Sequence, residues 1–450
     1  MSRVVKANRL PLHRGPAAWN AILPDQPAPQ SLEADTTADF VVVGAGFAGL
    51  SAARRLLQLN EGATVIVLEA GRLAESSCGR NSGFMIDLPH ELTSDDYAGA
   101  GDDRVMVELN RQAIAFAREA VAEYAITPDF FDECGKVNGA ATAGGDHHNE
   151  TYARHLDSLG EGNELLDAQA MHALTGSRHY TSGLYTPGTV MLQPAGYIRD
   201  FAAGLRRHGA VYEHSPVLGF KRVGSDWQVR TPKANVTTPK IILATNGHLE
   251  SFGYQRGRLM HVMLYASMSP ELDADELRAL GGASRWGVTP SDPMGTTMRR
   301  IDTGQGGNRI ITRTCSHFRP NMEVSERGIR WATKVQQTKF DQRFPQLKGL
   351  KPEYSWAGHL CLSHNGVSVM GPLEDGVFSA CVQNGLGTAR GTMTGMGAAE
   401  LASGVESAIT RHFAAEDQPS KLPPEPFSTI GANAYLRWKE WRAGAEKGRR

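Results

Sequence analysis

The chain has 450 residues, 41 % hydrophobic and 21 % charged, with a formal net charge of −1 at neutral pH. That length allows two domains and a sizeable core, and the even charge gives no electrostatic reason to expect nucleic acid or an anionic membrane as partner. No apolar run approaches the ~20 residues of a spanning helix, and the cysteines Cys78, Cys134, Cys315, Cys361 and Cys381 show no C-x-x-C or C-x-x-x-x-C spacing, which argues against a zinc site, a disulfide framework or a redox dithiol.

Residues 1–37 are rich in proline and small polar residues and read as an extended arm anchored by Trp19. The basic start has no apolar h-region, so a secretory signal is not expected and the expected location is cytoplasmic. Residues 39–72 organise the rest of the chain. The β-branched run 41–43 suits a strand buried on both faces. Gly44, Gly46 and Gly49, with Phe47 and Ala48 between them, then give G-x-G-x-x-G. The first glycine permits a tight turn, the second a close approach to a pyrophosphate, and the third close helix–strand packing. A helix follows, then a second strand over 64–68 ending at Glu69, placed to accept the ribose hydroxyls of an adenosine. A glycine turn alone is weak, but strand, turn, helix, strand and acid stand here in order. The small polar cluster from Ser76 to Gly83 comes directly after Glu69, where an NAD-only domain usually proceeds to another helix. It favours FAD.

Residues 105–124 have apolar residues at helical spacing, and a second helix is expected over 150–159. Between them, the glycine-rich run containing His147 and His148 reads as a solvated loop, and no metal is expected. Residues 197–207 read as a helix, 211–214 as a strand, 220–223 and 227–230 as a hairpin, and 240–243 as a buried strand ending at Ala244 and Thr245. Strands over 262–268 and 309–314 and a helix over 329–344 follow. The strand 377–382 leads through Gly385, Leu386, Gly387, Thr388 and Ala389 into a helix of small residues, whose N-terminus offers free N–H groups and partial positive charge to a flavin edge. Residues 435–450 form a basic amphipathic helix, read as docked on the surface, with an acidic partner as the alternative.

Four blocks, V-V-V-G-A-G-F-A-G-L with L-E-A, S-C-G-R-N-S-G, I-I-L-A-T-N-G, and W-A-G with N-G-L-G-T-A-R-G, together resemble the FAD-dependent D-amino-acid oxidase superfamily. This group contains glycine oxidase, sarcosine oxidase and D-amino-acid dehydrogenase. The resemblance implies an α/β fold, with a Rossmann-like FAD-binding domain of the glutathione-reductase type and a second, mixed-sheet substrate domain. The expected division is an arm (1–37), an FAD-binding domain (38–90, 183–260 and 351–430), a substrate domain (91–182 and 261–350) and the terminal helix (431–450). It places Gly44, Gly46 and Gly49 at the diphosphate, Glu69 on the ribose, and Ala70 and Arg72 near the adenosine. Ser77, Gly79, Arg80, Asn81, Ser82 and Gly83 would run beside the diphosphate and flavin. Val217 would touch adenine, Ala244 and Thr245 would flank the cofactor, and Gly385 to Ala389 would meet the isoalloxazine.

The implied reaction oxidises the carbon–nitrogen bond of a small amine or amino-acid-derived substrate, γ-glutamylputrescine-like or N-substituted, by hydride transfer to flavin N5 and imine hydrolysis. O2 or a respiratory carrier would be the acceptor. Tyr265, His317, Trp356 and His359 are the pocket candidates, with His359 first choice as base because an ordinary histidine titrates in the useful range. Members taking small amino acids often show W-x-G-x-R, whose arginine clamps a carboxylate. Here Leu360 takes that place, which disfavours a simple glycine- or D-alanine-type substrate unless Arg299, Arg300 or Arg313 supplies the clamp from the other domain. Cys361 lies near a flavin-linked cysteine of sarcosine oxidases, but its surroundings match poorly, and non-covalent FAD is expected. The alternatives are a 2-hydroxy-acid oxidoreductase and a flavin-binding subunit of a larger dehydrogenase. A disulfide reductase is disfavoured by the missing second glycine motif and missing dithiol.

Overall fold

A computed structural model describes residues 4–88 and 103–444. The parts of the expected segments at 89–102, and the terminal helix beyond 444, lie outside the described residues. The apolar run at 40–43 becomes the strand Phe40–Val43 at the middle of a six-stranded sheet. Its order is Ala210–Tyr212, Val65–Leu68, Phe40–Val43, Lys240–Leu243, Val377–Cys381 and Val369–Glu374. All neighbours are parallel except the last pair. Phe40–Val43 and Val65–Leu68 are buried at every position, as a parallel sheet covered on both faces requires. The helix Phe47–Leu59 covers one face together with Ala389–Ala402. These two helices approach so closely that a Cβ on Gly395 would lie 2.2 Å from the Ala48 carbonyl oxygen. The small residues of the second helix are what permit this contact.

A second sheet has eight strands in the order Tyr354–Ser363, Leu259–Met268, Arg309–Phe318, Thr297–Ile301, Trp286–Pro290, Lys136–Ala140, Ser182–Thr186 and Glu164–Asp167. Its neighbours are antiparallel except Trp286–Pro290 with Lys136–Ala140. Two segments expected with the FAD-binding part pair here instead: Ser182–Thr186 and, more consequentially, Tyr354–Ser363. The latter lies along Leu259–Met268 with His359 opposite Met263, Cys361 opposite His261 and Ala357 opposite Tyr265. Sequence periodicity registers alternation within a strand but not its partner, so the sheet to which a strand belongs is not legible from it.

The arm is more than an extended strap. Val4–Lys6 and Thr36–Thr37 close the two edges of a five-stranded sheet that includes the expected hairpin. The short helix Ala18–Ala21 buries Trp19 completely, and its indole N–H donates to the Asn81 carbonyl at 2.8 Å. The expected loop around His147 and His148 is instead the start of a helix, Ala143–Leu159. The Thr142 hydroxyl caps it by accepting from the Gly145 N–H at 3.1 Å, satisfying a donor that two glycines had made look like loop. The terminal helix likewise starts earlier than expected, at Phe427, and runs to Arg442.

Trp19→Ala removes the arm's buried anchor and one hydrogen bond to the loop containing Asn81. It is expected to cost about 3–5 kcal/mol of stability and to expose residues before 30 to proteolysis. Denaturant unfolding and limited digestion check this together; an unchanged digestion pattern would mean the arm is held by its edge strands alone.

Candidate active site

The two large sheets face one another across a cavity of about 360 Å³. Its floor is made where the parallel strands end: Gly44, Gly46, Phe47 and Ala48 after one strand, Glu69 and Ala70 after the next, Ala244 and Thr245 after the third, with Val217 beside them. Ser77, Arg80, Asn81 and Ser82 form one wall, and Gly385, Leu386, Gly387 and Thr388 another. The arm closes the top with Arg9, Leu10, Pro11 and His13. These arm residues carry no motif and were not anticipated.

Five expected residues stand behind the cavity surface. Gly49 is the contact between helix and strand: a Cβ there would lie 1.7 Å from the Gly44 carbonyl oxygen. Gly44 itself has φ +104°, and a Cβ on it would meet the Ala244 carbonyl oxygen at 2.7 Å. Gly79 and Gly83 pack against Ala74 and Arg299 respectively. Arg72 turns away, donating to the Pro27 carbonyl at 2.8 Å and pairing with Glu213 at 3.3 Å. Ala389 is the first, fully buried residue of its helix.

The polar groups that do line the cavity are held in place by backbone. Glu69 accepts from the Ala45 N–H at 2.8 Å and the Gly71 N–H at 3.2 Å. Burial pushes its carboxyl upward against those hydrogen bonds. Arg80 donates to the carbonyls of Glu75 at 2.6 Å, Arg14 at 3.1 Å and Gly15 at 2.8 Å, so its guanidinium fastens the arm to the loop. Asn81 accepts from the Gly83 N–H at 2.7 Å and donates to the Cys78 carbonyl at 2.6 Å. Thr388 donates to the Phe84 carbonyl at 2.7 Å.

The four pocket candidates separate. Tyr265 and His359 line the cavity; His317 and Trp356 do not. Trp356 is a buried buttress whose indole N–H donates to the Arg80 carbonyl at 3.0 Å. His317 is packed edge-on between Tyr265 at 5.6 Å and Trp331 at 5.0 Å. Burial and the nearby Arg437 and Arg319 lower its pKa to about 4.

His359 begins a chain of groups with no sequence signature. Its Nε2 lies 3.1 Å from His261 Nδ1, and His261 Nε2 lies 2.7 Å from a Glu250 carboxylate oxygen. Burial works to raise Glu250, yet the hydrogen bond from His261 holds it below its ordinary value. Glu250 and His261 thus stand in line behind His359 and fix the orientation of its ring through Nε2. Burial, with His261, His248 and His13 nearby, pushes His359 well below its usual range. That direction runs against a base titrating near neutrality and favours an uncharged imidazole oriented by His261.

The three arginines also separate. Arg299 donates to the Ser82 carbonyl at 3.0 Å and to Gln305 at 2.9 Å, and stacks 4.9 Å from the Trp19 ring. Arg300 donates to the Gly281 carbonyl at 2.5 Å. Arg313 lines the cavity, and among the described residues nothing hydrogen-bonds or ion-pairs with its guanidinium. Leu360 and Cys361 line the cavity too. Burial holds the Cys361 thiol well above its ordinary value, so it is not a ready thiolate nucleophile.

Comparison with known proteins gives a consistent picture. The family model described as FAD dependent oxidoreductase (DAO) matches residues 39–401. The chain is 26 % identical over 403 residues to the γ-glutamylputrescine oxidoreductase of Escherichia coli, covering 83 % of this chain and 85 % of that one. It is 23 % identical over 384 residues to the probable oxidoreductase OrdL of Haemophilus influenzae, covering 83 % and 84 %. Glycine oxidase from Geobacillus kaustophilus shares the fold with a TM-score of 0.69 at 17 % identity, over 85 % of this chain and 100 % of that one.

Gly49→Ala sets two backbone-bound atoms into overlap that no rotamer change relieves. It is expected to destabilise the protein by about 1–3 kcal/mol. Gly144→Ala, whose Cβ meets only the Thr142 hydroxyl at 3.9 Å, is expected to be neutral or to stabilise by about 0.5–1 kcal/mol. Parallel denaturant titrations of the two variants test this contrast.

Proposed function

The chain belongs to the DAO family of FAD-dependent oxidoreductases, and from that membership we propose that it oxidises the carbon–nitrogen bond of an amine bearing a carboxylate. The substrate class is γ-glutamylputrescine-like or an N-substituted amino acid. The observation that carries the proposal is Arg313. Arg313 is partly buried and faces the cavity without a hydrogen-bond or ion-pair partner among the described residues; such a guanidinium gives up part of its hydration, and its planar donors fit a carboxylate. It answers the leucine at position 360, where small-amino-acid enzymes of this kind have their clamp.

The residues present fit a flavin dinucleotide. A Cβ on Gly44 or Gly49 would strike backbone oxygen, and Gly46, which lines the cavity, leaves the space beside it open to a pyrophosphate. Glu69 would hold the ribose, the loop from Ser77 to Ser82 would flank the diphosphate and ring, and the N-terminus of Ala389–Ala402 would face the flavin edge. When bound, the flavin supplies the hydride acceptor. The chain's own groups do the positioning. Arg313 would fix the substrate's anionic end, and Tyr265 and Leu360 would exclude water from the reacting carbon. His359, held well below its ordinary range by burial, would be a weak base, so substrate would bind as the free amine.

Anaerobic bleaching near about 450 nm, a property of oxidised flavin, tests the reaction class against γ-glutamylated amines, N-methyl amino acids, D-amino acids, free polyamines and 2-hydroxy acids. Bleaching only by hydroxy acids would sink the amine reading. Arg313→Ala is expected to raise KM for a carboxylate-bearing amine about 10–100-fold, with a much smaller effect on the matched amine lacking the carboxylate. Equal losses on both would remove the clamp role.

A further inference from the structure

The helix Phe427–Arg442 is amphipathic in the reverse of the usual sense. Its polar side faces the protein. Glu440 accepts from the N–H and hydroxyl of Ser316 at 3.1 and 3.2 Å, and Asn433 accepts from the Phe318 N–H at 3.1 Å while donating to the Phe318 carbonyl at 3.2 Å. Arg437 donates to the Ser316 carbonyl. Its aromatic side faces outward: Phe427 is 69 % exposed, Ile430 64 %, Tyr435 52 %, Trp438 47 % and Trp441 66 %. At about 3.6 residues per turn these five share one side of the helix. Trp331, 37 % exposed on the neighbouring helix Glu326–Arg343, extends the patch beneath Arg437, whose guanidinium lies 5.0 Å over its ring.

Scattered exposed apolar residues are ordinary, but a contiguous aromatic patch marks a contact surface. The charges say what it contacts. Lys439 lies 5.8 Å over Trp438 and 6.0 Å over Tyr435, and Arg442 lies 5.7 Å over Trp438. From position 437 the sequence holds Arg437, Lys439, Arg442, Lys447, Arg449 and Arg450 against Glu440 and Glu446; Arg437 pairs with Glu440 on the protein-facing side, which leaves five cations against Glu446. The net charge of −1 therefore conceals a locally positive end.

We propose that this helix lies flat on an anionic lipid surface, its tryptophans and tyrosine at headgroup depth and its lysine and arginines among the lipid phosphates. Rings that are apolar in body and polar at one edge belong at that depth, and flanking cations add attraction to anionic lipid. A second copy of the chain is the poorer occupant, because a two-fold contact through this face would set the same positive charges against themselves. The contact is peripheral, since no helix among the described residues is long and apolar enough to cross a membrane.

The test is flotation of the full-length, flavin-loaded protein with vesicles containing about 30 % phosphatidylglycerol, compared with pure phosphatidylcholine vesicles, at about 0.1 M salt. Wild-type protein is expected to float with the anionic vesicles and to shift its tryptophan emission to the blue. Trp438→Ala with Trp441→Ala, and separately Lys439→Glu with Arg442→Glu, are each expected to reduce the floated fraction about ten-fold while leaving flavin absorbance and turnover unchanged. Failure of the wild type to float overturns the proposal, as does equal flotation of both variants. A wild-type dimer in solution that the tryptophan variant converts to monomer would also overturn it, assigning the face to self-association.

Discussion

The structure depends on how near the helix Phe47–Leu59 comes to the strand before it. With Gly49 seated directly on the Gly44 carbonyl, the helix begins at once and its first N–H groups face the strand ends. Any Cβ at that contact would push the helix outward and close the turn over the space a pyrophosphate needs. The same closeness recurs one layer out, where Gly395 rides on Ala48. Two successive contacts without side chains thus place two helix N-termini at one end of the parallel sheet. Backbone dipoles and unpaired donors give that end its affinity for anions before any charged side chain is counted.

The half of the site built this way was legible because it is local. Strand, glycine turn, helix, strand and Glu69 fall within about thirty residues, and each has a spacing rule of its own. The opposite wall was not. Leu259–Met268 meets Tyr354–Ser363 across roughly ninety residues of chain, and which residues oppose each other is settled by packing that no period encodes. Tyr265 and His359 could be named as candidates, but not His261 and Glu250, because their alignment behind His359 exists only once the strands are in register. Trp356 and His317 look like pocket residues for the opposite reason. An aromatic or a histidine near a strand end carries the same pattern whether it faces a cavity or backs one.

The arginines show how burial sorts residues of one type. Arg299 and Arg300 are neighbours on one strand, and each is met by backbone carbonyls that repay desolvation. Arg313 lies on the adjacent strand opposite Thr297, where the wall is cavity rather than protein. Nothing in the three positions separates them by residue type or local sequence. What differs is whether the chain folds a carbonyl against the guanidinium. At Arg313 it leaves the donors open, which is the arrangement a bound anion completes.

The reversed terminal helix follows from the same accounting of backbone groups. The strand Arg309–Phe318 is flanked by Thr297–Ile301 only as far as Arg313. Beyond that point the outer edge near Ser316 and Phe318 has no strand beside it among the described residues, and an open edge needs partners or protection. Glu440, Asn433 and Arg437 supply those partners as side chains. Spending the polar face inward leaves the helix only its aromatic face to show outward. The exposed tryptophans are therefore a consequence of how the edge is closed, and the helix is docked at Ser316, three residues along the strand from Arg313. One strand thus gives Arg313 to the cavity wall and Ser316 to the helix, so the aromatic face and the candidate site are tied to the same element.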